Sequence, residues 1–586
     1  MKKMLILPVR SVLKQGRQSL ISVIGLSVAI ASCILIMLYI SYELSFDRYH
    51  KNTGSIFRVL TQLGAFNDKS NPRDVVTPAP LRDAMVSEIP GVVRSCRCKL
   101  VSATLEYNST LFAEKGFLYA DYDLLEMFTF PVLSGDPAAA LKEPFSLFLT
   151  RSMALKYFGN QDPIGKSIKA NNKYVYTVSG VLEDIPLNSH FNFDFLTGFE
   201  TLCVVSGGRD KVERWSNFNY LTYVQLSENS DPDKIPDDLA GIADRHLPKA
   251  PLFKNMKWVL QPLNKIHLGG QNGFDTSVQS DIRYIFLVAS IGIIIFLIAC
   301  INYMNLATAR SFSRGREIGI LKVTGSSRTR IIFRLIAESL ALSLGGLITG
   351  LGLVSLLLPV FADFMDRPLT YRMIFGDSMP FLIIALTVLM GVLAALLPSL
   401  SLSSFNPLRL IKEEFTDISG KRKSGFLKNV LLVIQYTISI VALVSALTMR
   451  SQLRYMKDKD HGFISRNILN IAIKDPDLRK NPGFLVNEIR NNAKISGVSA
   501  SSLLPHSITS IGLGAWEGKP AESMTKVFRM AIDPEFLDFY NLQLVSGRGF
   551  SSQFRDDSLN NYIINETAAR LLDRKDPVGM KFGFQK

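Results

Sequence analysis

The sequence has few of the residues that build catalytic or metal centres. Its 586 residues include five cysteines and six histidines. The histidines show no H-E-x-x-H spacing, no paired cysteine cluster accompanies them, and no G-x-S-x-G turn marks a hydrolase nucleophile. We therefore assign no catalytic, metal or cofactor-binding residue. If the protein does work that needs energy, a partner must supply that energy.

The few cysteines also lack the pattern of a disulfide framework. Cys33 and Cys300 lie inside apolar runs, which leaves an odd number in the segment between them: Cys96, Cys98 and Cys203. A bond between Cys96 and Cys98 would close a very short, strained loop. We expect free thiols.

One segment resembles a phosphate-binding loop but has the wrong spacing. Residues 159–167 read Gly-Asn-Gln-Asp-Pro-Ile-Gly-Lys-Ser. The G-x-x-x-x-G-K-S/T motif needs a glycine where Asn160 stands, and a similar segment at 574–581 lacks the serine. We interpret both segments as structural turns.

Long apolar runs are abundant instead. Hydrophobic residues make up 47% of the chain, and the mean hydropathy is +0.18. A helix needs roughly 20 apolar residues to cross a bilayer core of about 30 Å. Five segments meet this length: 20–42, 284–306, 336–361, 379–402 and 430–449. The sequence therefore predicts a multi-pass α-helical membrane protein.

Two of these runs need comment. The run at 336–361 contains Glu338, which we place in the first turn, where it can reach the membrane interface. The run at 20–42 follows a basic stretch, as a signal peptide would. It is too long for a typical signal core, and no small-x-small cleavage site precedes Glu43. We interpret it as a retained anchor.

Basic residues are concentrated in three short segments. Residues 1–19 carry five basic and no acidic groups, residues 307–335 carry seven and one, and residues 403–429 carry six and three. Short segments rich in Lys and Arg stay on the cytoplasmic side of a membrane. The pattern predicts a cytoplasmic N-terminus, with the large segments on the opposite side of the membrane. The positive charge is then explained by topology and lipid headgroups, and nucleic acid is not expected as a partner.

The segment between the first two runs has the pattern of an α+β domain. Residues 174–179 and 220–226 have strand composition, and residues 78–89 carry apolar side chains at helical spacing. A last strand, leading back to the membrane, is expected from Trp258 to Leu268.

Part of this domain recurs later in the chain. Asp121–Gly135 aligns without gaps onto Asp533–Gly547, and Ala154–Gly165 aligns onto Ala568–Gly579. The second copy ends at Lys586, before it is complete. We expect a truncated gene product, a split protein or an incomplete sequence, with a deliberately shortened second domain as the alternative.

The segment after the second run carries a long motif. Residues 316–325 read Arg-Glu-Ile-Gly-Ile-Leu-Lys-Val-Thr-Gly, and a basic stretch then leads into Glu338-Ser339. This motif resembles the cytoplasmic signature of FtsX-like/MacB-like ABC transporter permeases. Residues 404–407 resemble the family's proline-terminated exit, and residues 162–165 and 178–186 look like a MacB-type periplasmic core domain. The doubled arrangement is similar to that of large Bacteroidetes-type permeases.

The resemblance implies a non-enzymatic permease subunit in a bacterial inner membrane, with its large domains in the periplasm. In the family, a cytoplasmic ABC ATPase docks at this loop, and its ATP-driven dimerisation moves the spans and the periplasmic domains, a process called mechanotransmission. The expected coupling residues are Glu317, Gly319, Lys322 and Gly325. The alternative is that they only anchor the loop, with glycines ending the helix and basic groups binding lipid. Ile318, Leu321 and residues 331–335 suit a short helix at the headgroup level.

Taken together, these patterns predict the following organisation. The expected segments are a cytoplasmic segment 1–19, spans 20–42, 284–306, 336–361, 379–402 and 430–449, a periplasmic MacB-like core domain 43–283, a cytoplasmic coupling loop 307–335, a short periplasmic loop 362–378, a cytoplasmic linker 403–429 and an incomplete second MacB-like core domain 450–586.

The resemblance also implies partners: the ATPase, membrane lipids, a periplasmic adaptor or outer-membrane channel, and a second permease in a dimer or pseudo-dimer. The expected substrate is exported or extruded and belongs to a class such as antibiotics, peptides or lipoproteins. Two other functions remain open. The protein is a scaffold or sensor for a periplasmic partner such as a cell-wall hydrolase, or it is a nonfunctional remnant.

Overall fold

The computed structural model describes most of the chain. The described residues are 16–63, 73–136, 141–249, 253, 255–270, 272–313, 315–376, 378–404, 421–460, 462–464, 466–473, 475–505, 511–519, 525–572 and 576–584. Much of the predicted N-terminal segment and of the 403–429 linker therefore lies outside the described residues. Two compact units are present. One comprises the described parts of 1–46, 267–270 and 279–457, and the other those of 47–266, 271–278 and 458–586.

A first folded module follows helix α1 (Gly16–Leu44). Its strands are β1 (Ile56–Gln62), β2 (Thr77–Pro78), β3 (Val92–Tyr107), β4 (Thr110–Ala120), β5 (Val132–Gly135), β6 (Ser146–Thr150), β7 (Ser167–Ala170), β8 (Tyr174–Leu182), β9 (Phe195–Gly198), β10 (Phe218–Leu226) and β11 (Lys257–Pro262). Its helices are α2 (Leu81–Glu88), α3 (Asp123–Met127), α4 (Arg151–Phe158), α5 (Phe199–Val205), α6 (Arg209–Val212) and α7 (Ile235–His246).

The strands form one mixed sheet in the order β11-β1-β10-β3-β4-β9-β6-β8-β5, with β7 pairing with β3 and β8. Most pairs are antiparallel, while β4 with β9 and β6 with β8 are parallel. The predicted α+β class is confirmed, as are the predicted strands in β8 and β10 and the predicted helix α2. The predicted alternation of side chains between the two faces is observed in β8: Tyr176 and Val178 are buried, whereas Val175 is 55% exposed.

Among the described residues, the helical unit contains five helices long and apolar enough to cross a membrane. They are α1, α8 (Ile282–Ser313), α10 (Arg328–Met365), α11 (Met379–Ser404) and α12 (Lys421–Asp458), and the short helix α9 (Gly315–Val323) lies between α8 and α10. Each predicted span lies within one of these helices. Many of their apolar side chains face outward, among them Ile348, Leu356 and Phe381, as expected where lipid replaces water as the solvent.

Helix α1 packs closely against α10 through small residues. A Cβ added to Gly346 would lie 2.9 Å from Leu26 Cβ, and one added to Gly350 would lie 3.2 Å from the Ser27 carbonyl oxygen. The spacing of these glycines is the small-xxx-small pattern that lets membrane helices approach each other. The Ser27 and Thr349 hydroxyls also form a hydrogen bond across this contact.

Glu338 lies deeper in its helix than the sequence interpretation placed it. Helix α10 begins at Arg328, upstream of the predicted span, so Glu338 is beyond the first turn. Its side chain is only 10% exposed, and Arg334 Nε lies 3.8 Å from its Oε1. A neighbouring arginine one turn away therefore lowers the cost of burying this acid.

A second region of mixed structure follows α12. It contains α13 (Pro476–Lys480), α14 (Gly483–Arg490), β12 (Ile511–Trp516), β13 (Lys526–Phe528), α15 (Phe536–Tyr540), α16 (Glu566–Leu571) and β14 (Phe582–Phe584). Its three strands form an antiparallel sheet in the order β13-β12-β14. In the first module β4, β3 and β7 are paired in the same way, with β3 in the middle.

Hydrogen bonds at the aligned segments also match. The Asp121 amide donates to the Arg97 carbonyl at 3.2 Å while Asp121 Oδ2 accepts from the Arg97 amide at 2.7 Å. Asp533 makes the same two bonds with Ala500, at 3.0 and 2.6 Å. Asp162 and Asp576 each accept from the amide two residues later, at 3.0 Å in both cases.

Candidate functional site

The predicted coupling loop folds as a short helix, a tight turn and the start of a long helix. Gly325, with φ +90°, follows α9. Its amide donates to the Lys322 carbonyl at 3.1 Å, and the Ser326 amide donates to the Leu321 carbonyl at 2.9 Å. This pair of bonds is a Schellman cap, which requires a left-handed residue and favours glycine. The Ser327 hydroxyl then caps α10 by accepting from the Arg330 amide at 3.4 Å.

The four predicted coupling residues lie in this helix and turn. Glu317, Gly319 and Lys322 lie on α9, and Gly325 lies directly after it. Gly319 is buried and Lys322 is half-buried. Burial, together with the charge of Arg328, lowers the pKa of the Lys322 ammonium. The geometry explains why Gly325 is a glycine; the coupling role of all four residues stays a prediction.

One detail of the loop prediction is wrong. Residues 331–335 were expected to share a short headgroup helix with Ile318 and Leu321. The cap at Gly325 separates the two groups, so 331–335 belong to α10, where Leu335 packs against buried Ile331.

A second polar cluster lies at the C-terminal end of α1, and the sequence interpretation missed it. Glu43 is 0% exposed, and both of its carboxylate oxygens are paired. Its Oε2 lies 2.8 Å from His267 Nε2, and its Oε1 accepts a 2.6 Å hydrogen bond from Arg367 Nε. The Phe46 ring stacks on the His267 ring with centroids 3.4 Å apart. The only sequence signal was an acid at the end of an uncharged run.

A third cluster lies inside the first module. Asp47, held at φ +58°, accepts hydrogen bonds from the His190 amide at 3.0 Å and pairs with His190 Nδ1 at 2.9 Å. His190 Nε2 lies 2.9 Å from the Tyr223 hydroxyl, and His50 Nδ1 accepts from the Thr129 amide at 3.0 Å.

Burial dominates the electrostatics of this third cluster. Burial lowers the pKa of His50 to about 4 despite the neighbouring Asp47. Burial alone would raise the pKa of Asp47, but the charge and hydrogen bonds of His190 hold it below its ordinary value. Within the described ranges, no group of three or more His, Cys, Asp or Glu side chains is placed to hold a metal ion.

All five cysteines of the chain are free and buried. Burial raises the pKa of the Cys203 thiol. A thiol that is buried and protonated is a poor nucleophile, so these side chains pack as small apolar groups.

Two family models match the chain in order along its length. Residues 19–242 match the MacB-like periplasmic core domain, and residues 289–407 match the FtsX-like permease C-terminal domain. The chain belongs to the FtsX-like/MacB-like permease family. The second match contains α9, the cap at Gly325 and α10, so the predicted coupling loop lies within the matched permease domain.

Among curated proteins, this permease is similar to the macrolide export ATP-binding/permease protein MacB of Bdellovibrio bacteriovorus. The two are 24% identical over 275 residues, which are 45% of this chain and 38% of that protein. The permease thus spans well under half the length of that relative.

Two solved structures are similar to part of this chain, and both are single domains or regions of larger proteins. A domain of a permease protein from Porphyromonas gingivalis is 22% identical, with a TM-score of 0.32, and the match covers 36% of this chain and 92% of that one. The periplasmic region of MacB from Actinobacillus actinomycetemcomitans is 14% identical, with a TM-score of 0.28, covering 36% of this chain and 90% of that one. With such low scores, family membership rests on the two family-model matches.

Proposed function

We propose that this permease is the membrane subunit of an ABC transporter, relaying ATP-driven motion of a separate cytoplasmic ATPase to periplasmic modules. The order of the two family matches, a periplasmic core domain followed by a permease domain, carries this proposal. The relay would export or extrude a substrate that the periplasmic module engages. In this role the chain itself hydrolyses no ATP, in keeping with the failed phosphate-loop spacing at Asn160.

The α9 loop is the proposed docking point for the ATPase. We propose that this short helix acts as a lever, because the Schellman cap fixes the C-terminal end of α9 and the Ser327 cap fixes the start of α10 directly after it. In this proposal Glu317 and Lys322 supply charges on α9. Gly319 lies within the helix, and Gly325 ends it in the left-handed conformation. A push on α9 would be transmitted directly to α10.

Copurification with the ATPase tests this proposal. The tagged permease in lipid nanodiscs should retain an ABC ATPase whose turnover changes on binding. Glu317→Ala and Lys322→Ala should each reduce that change several-fold, since each removes a hydrogen bond or ion pair to the partner. Arg372→Ala is the matched control, because Arg372 is an exposed cation in the 362–378 loop. An ATPase that binds equally well to all variants would contradict docking at α9.

The proposed topology places the N-terminus and the α9 loop in the cytoplasm and residues 43–283 in the periplasm. Because the native cysteines are buried, an introduced cysteine can report its own side of the membrane. Membrane-impermeant maleimide added to intact spheroplasts should label Ser167→Cys and Ser551→Cys and spare Ser326→Cys. Labelling only of Ser326→Cys would reverse the orientation.

We also propose that residues 450–586 form a second periplasmic module of the same type. The matched strand order and the matched hydrogen bonds of Asp121 and Asp533 support this. Asp533→Ala should destabilise the second region, because hydrogen bonds to a charged group contribute about 1.5–3 kcal/mol. Hydrogen exchange at the backbone amides of β12 reports this region, and Asp538→Ala, at an exposed acid of α15, is the control. Equal effects of the two variants would count against the assignment.

A further inference from the structure

The Glu43 cluster joins three segments of the helical unit that are distant in sequence. Glu43 lies in the last turn of α1, from which the chain leaves for the first module. His267 begins the segment 267–270, where the chain first rejoins the helical unit after the first module, before 271–278 and then α8 follow. Arg367 follows Asp366, the left-handed residue that ends α10. The Glu43 carboxylate therefore links three places: the end of α1, the connection at His267 and the end of α10.

The partners of Glu43 are themselves held in place. The His267 carbonyl accepts a 2.7 Å hydrogen bond from the Ser280 amide, directly before α8, and Gly269 forms a β-bridge with Asp281. The Arg367 amide donates to the Ala362 carbonyl of α10 at 3.0 Å. Because every partner is tied to a helix end, a shift of any one helix end must either carry the others or break a bond to Glu43.

Because the Glu43 carboxylate is buried, its bonds to His267 and Arg367 are hard to replace. Glu43 is 0% exposed and Arg367 only 17% exposed, so water does not replace a lost partner easily. Charge-assisted hydrogen bonds of this length are about twice as strong as neutral ones.

We propose that Glu43 is a positioning residue that holds the end of α10 to the two chain connections of the first module, at the end of α1 and at His267. Movement of α10 would then reach both connections together. This inference extends the proposed function, because a relay between loop and module needs such a joint. Its test needs no ATPase and so can fail independently of the transport proposal.

Spin labels at Ser41→Cys and Thr370→Cys, both exposed positions, would report the distance between the end of α1 and the loop that follows α10. The buried native cysteines leave the labels specific. In nanodiscs the otherwise unmodified chain should give one narrow distance population. Glu43→Gln, which is nearly isosteric, and Arg367→Ala should shift the equilibrium towards a longer, broader population on the order of tenfold, the size expected for losing a hydrogen bond to a charged group.

The controls separate a latch from general destabilisation. Arg367→Lys keeps a cation and should retain most of the narrow population. Asp363→Asn removes an exposed acid near the end of α10, and Arg372→Ala removes an exposed arginine from the same loop; neither should change the distances. The double variant Glu43→Gln/Arg367→Ala should be no broader than either single variant, because one interaction is lost in all three. Unchanged distances in Glu43→Gln and Arg367→Ala, or additive broadening in the double variant, would overturn the proposal.

Discussion

Arg97 and Asp121 form a two-pronged ion pair in the interior of the first module. Arg97 Nε and one terminal nitrogen donate to the two oxygens of Asp121 at 3.0 and 2.9 Å. The Arg97 guanidinium also lies 4.1 Å from the centre of the Phe199 ring. This side chain connects β3 to the end of β4 and to α5, in the middle of the mixed sheet.

Replacing Arg97 by alanine should therefore destabilise the first module strongly. The change leaves Asp121 desolvated without its partner, which costs about 3–5 kcal/mol for a buried pair. Urea unfolding of the full chain in detergent, followed by tryptophan fluorescence, measures the change. Arg94→Ala is the control, since Arg94 on the same strand is 41% exposed and its pair with Glu126 spans 3.7 Å. That variant should lose less than about 1 kcal/mol. Similar losses in the two variants would refute the role of burial.

His50 should make the first module less stable as the pH falls. Its pKa is about 4 in the fold, against about 6.5 in an unfolded chain. Between these values the unfolded state binds more protons, so stability decreases as the pH drops through this window. The loss by pH 4 should approach about 3 kcal/mol.

The pH series is best compared with that of His50→Gln. Glutamine keeps an acceptor for the Thr129 amide but gains no proton. Asp47 and His190 face the same site, and the lowered pKa of Asp47 adds its own loss only at still lower pH. The variant should be nearly flat from pH 6.5 to 4.5; a slope equal to that of the parent chain would assign the dependence to other groups.

Gly325 tests whether the α9 loop needs a glycine for capping alone. Nothing lies within 4 Å of a Cβ added there, so Gly325→Ala is penalised only by its left-handed backbone, at about 1–2 kcal/mol. Asparagine tolerates that conformation much better. Hydrogen exchange at the Ser326 amide should speed up in Gly325→Ala and stay near normal in Gly325→Asn. If ATPase coupling is lost in both variants while exchange is normal in the asparagine variant, Gly325 acts in coupling as well.

Gly346 should be intolerant of even a methyl group. Gly346→Ala places a Cβ 2.9 Å from Leu26, and such overpacking costs about 1–3 kcal/mol. Gly352 lies on the same helix with nothing within 4 Å of an added Cβ. Both substitutions raise helix propensity equally, so the difference in thermal unfolding temperature between Gly346→Ala and Gly352→Ala isolates the contact between α1 and α10. No difference would mean that α1 shifts freely to accommodate the methyl group.

Patterns that are local in sequence predicted much of this fold. The apolar runs gave all five long helices, because hydropathy over about 20 residues depends on neighbours in the chain alone. The alternation at 174–179 similarly predicted β8. The helix boundaries were less accurate: α10 begins well before its predicted span, because Ser327 caps it at a position that hydropathy does not register.

The candidate site was predicted only in part. The resemblance carried by the motif at 316–325 led to the correct family, while the coupling role of this loop stays a prediction. That glycines end a helix here was only the alternative interpretation, and the structure shows a helix ending at Gly325. The clusters around Glu43 and Asp47 were also missed, because His267, Arg367 and His190 show no spacing relation to them.

Composition and periodicity over short stretches were enough to predict the long apolar helices, strands such as β8 and β10, and the family resemblance, because each depends on residues that are near one another in the chain. The pairing of the buried charges became visible only in the folded structure. A buried carboxylate such as Glu43 must find its partners wherever the fold brings them, and the attraction that selects His267 and Arg367 acts over a few ångströms in space, whatever their separation along the chain.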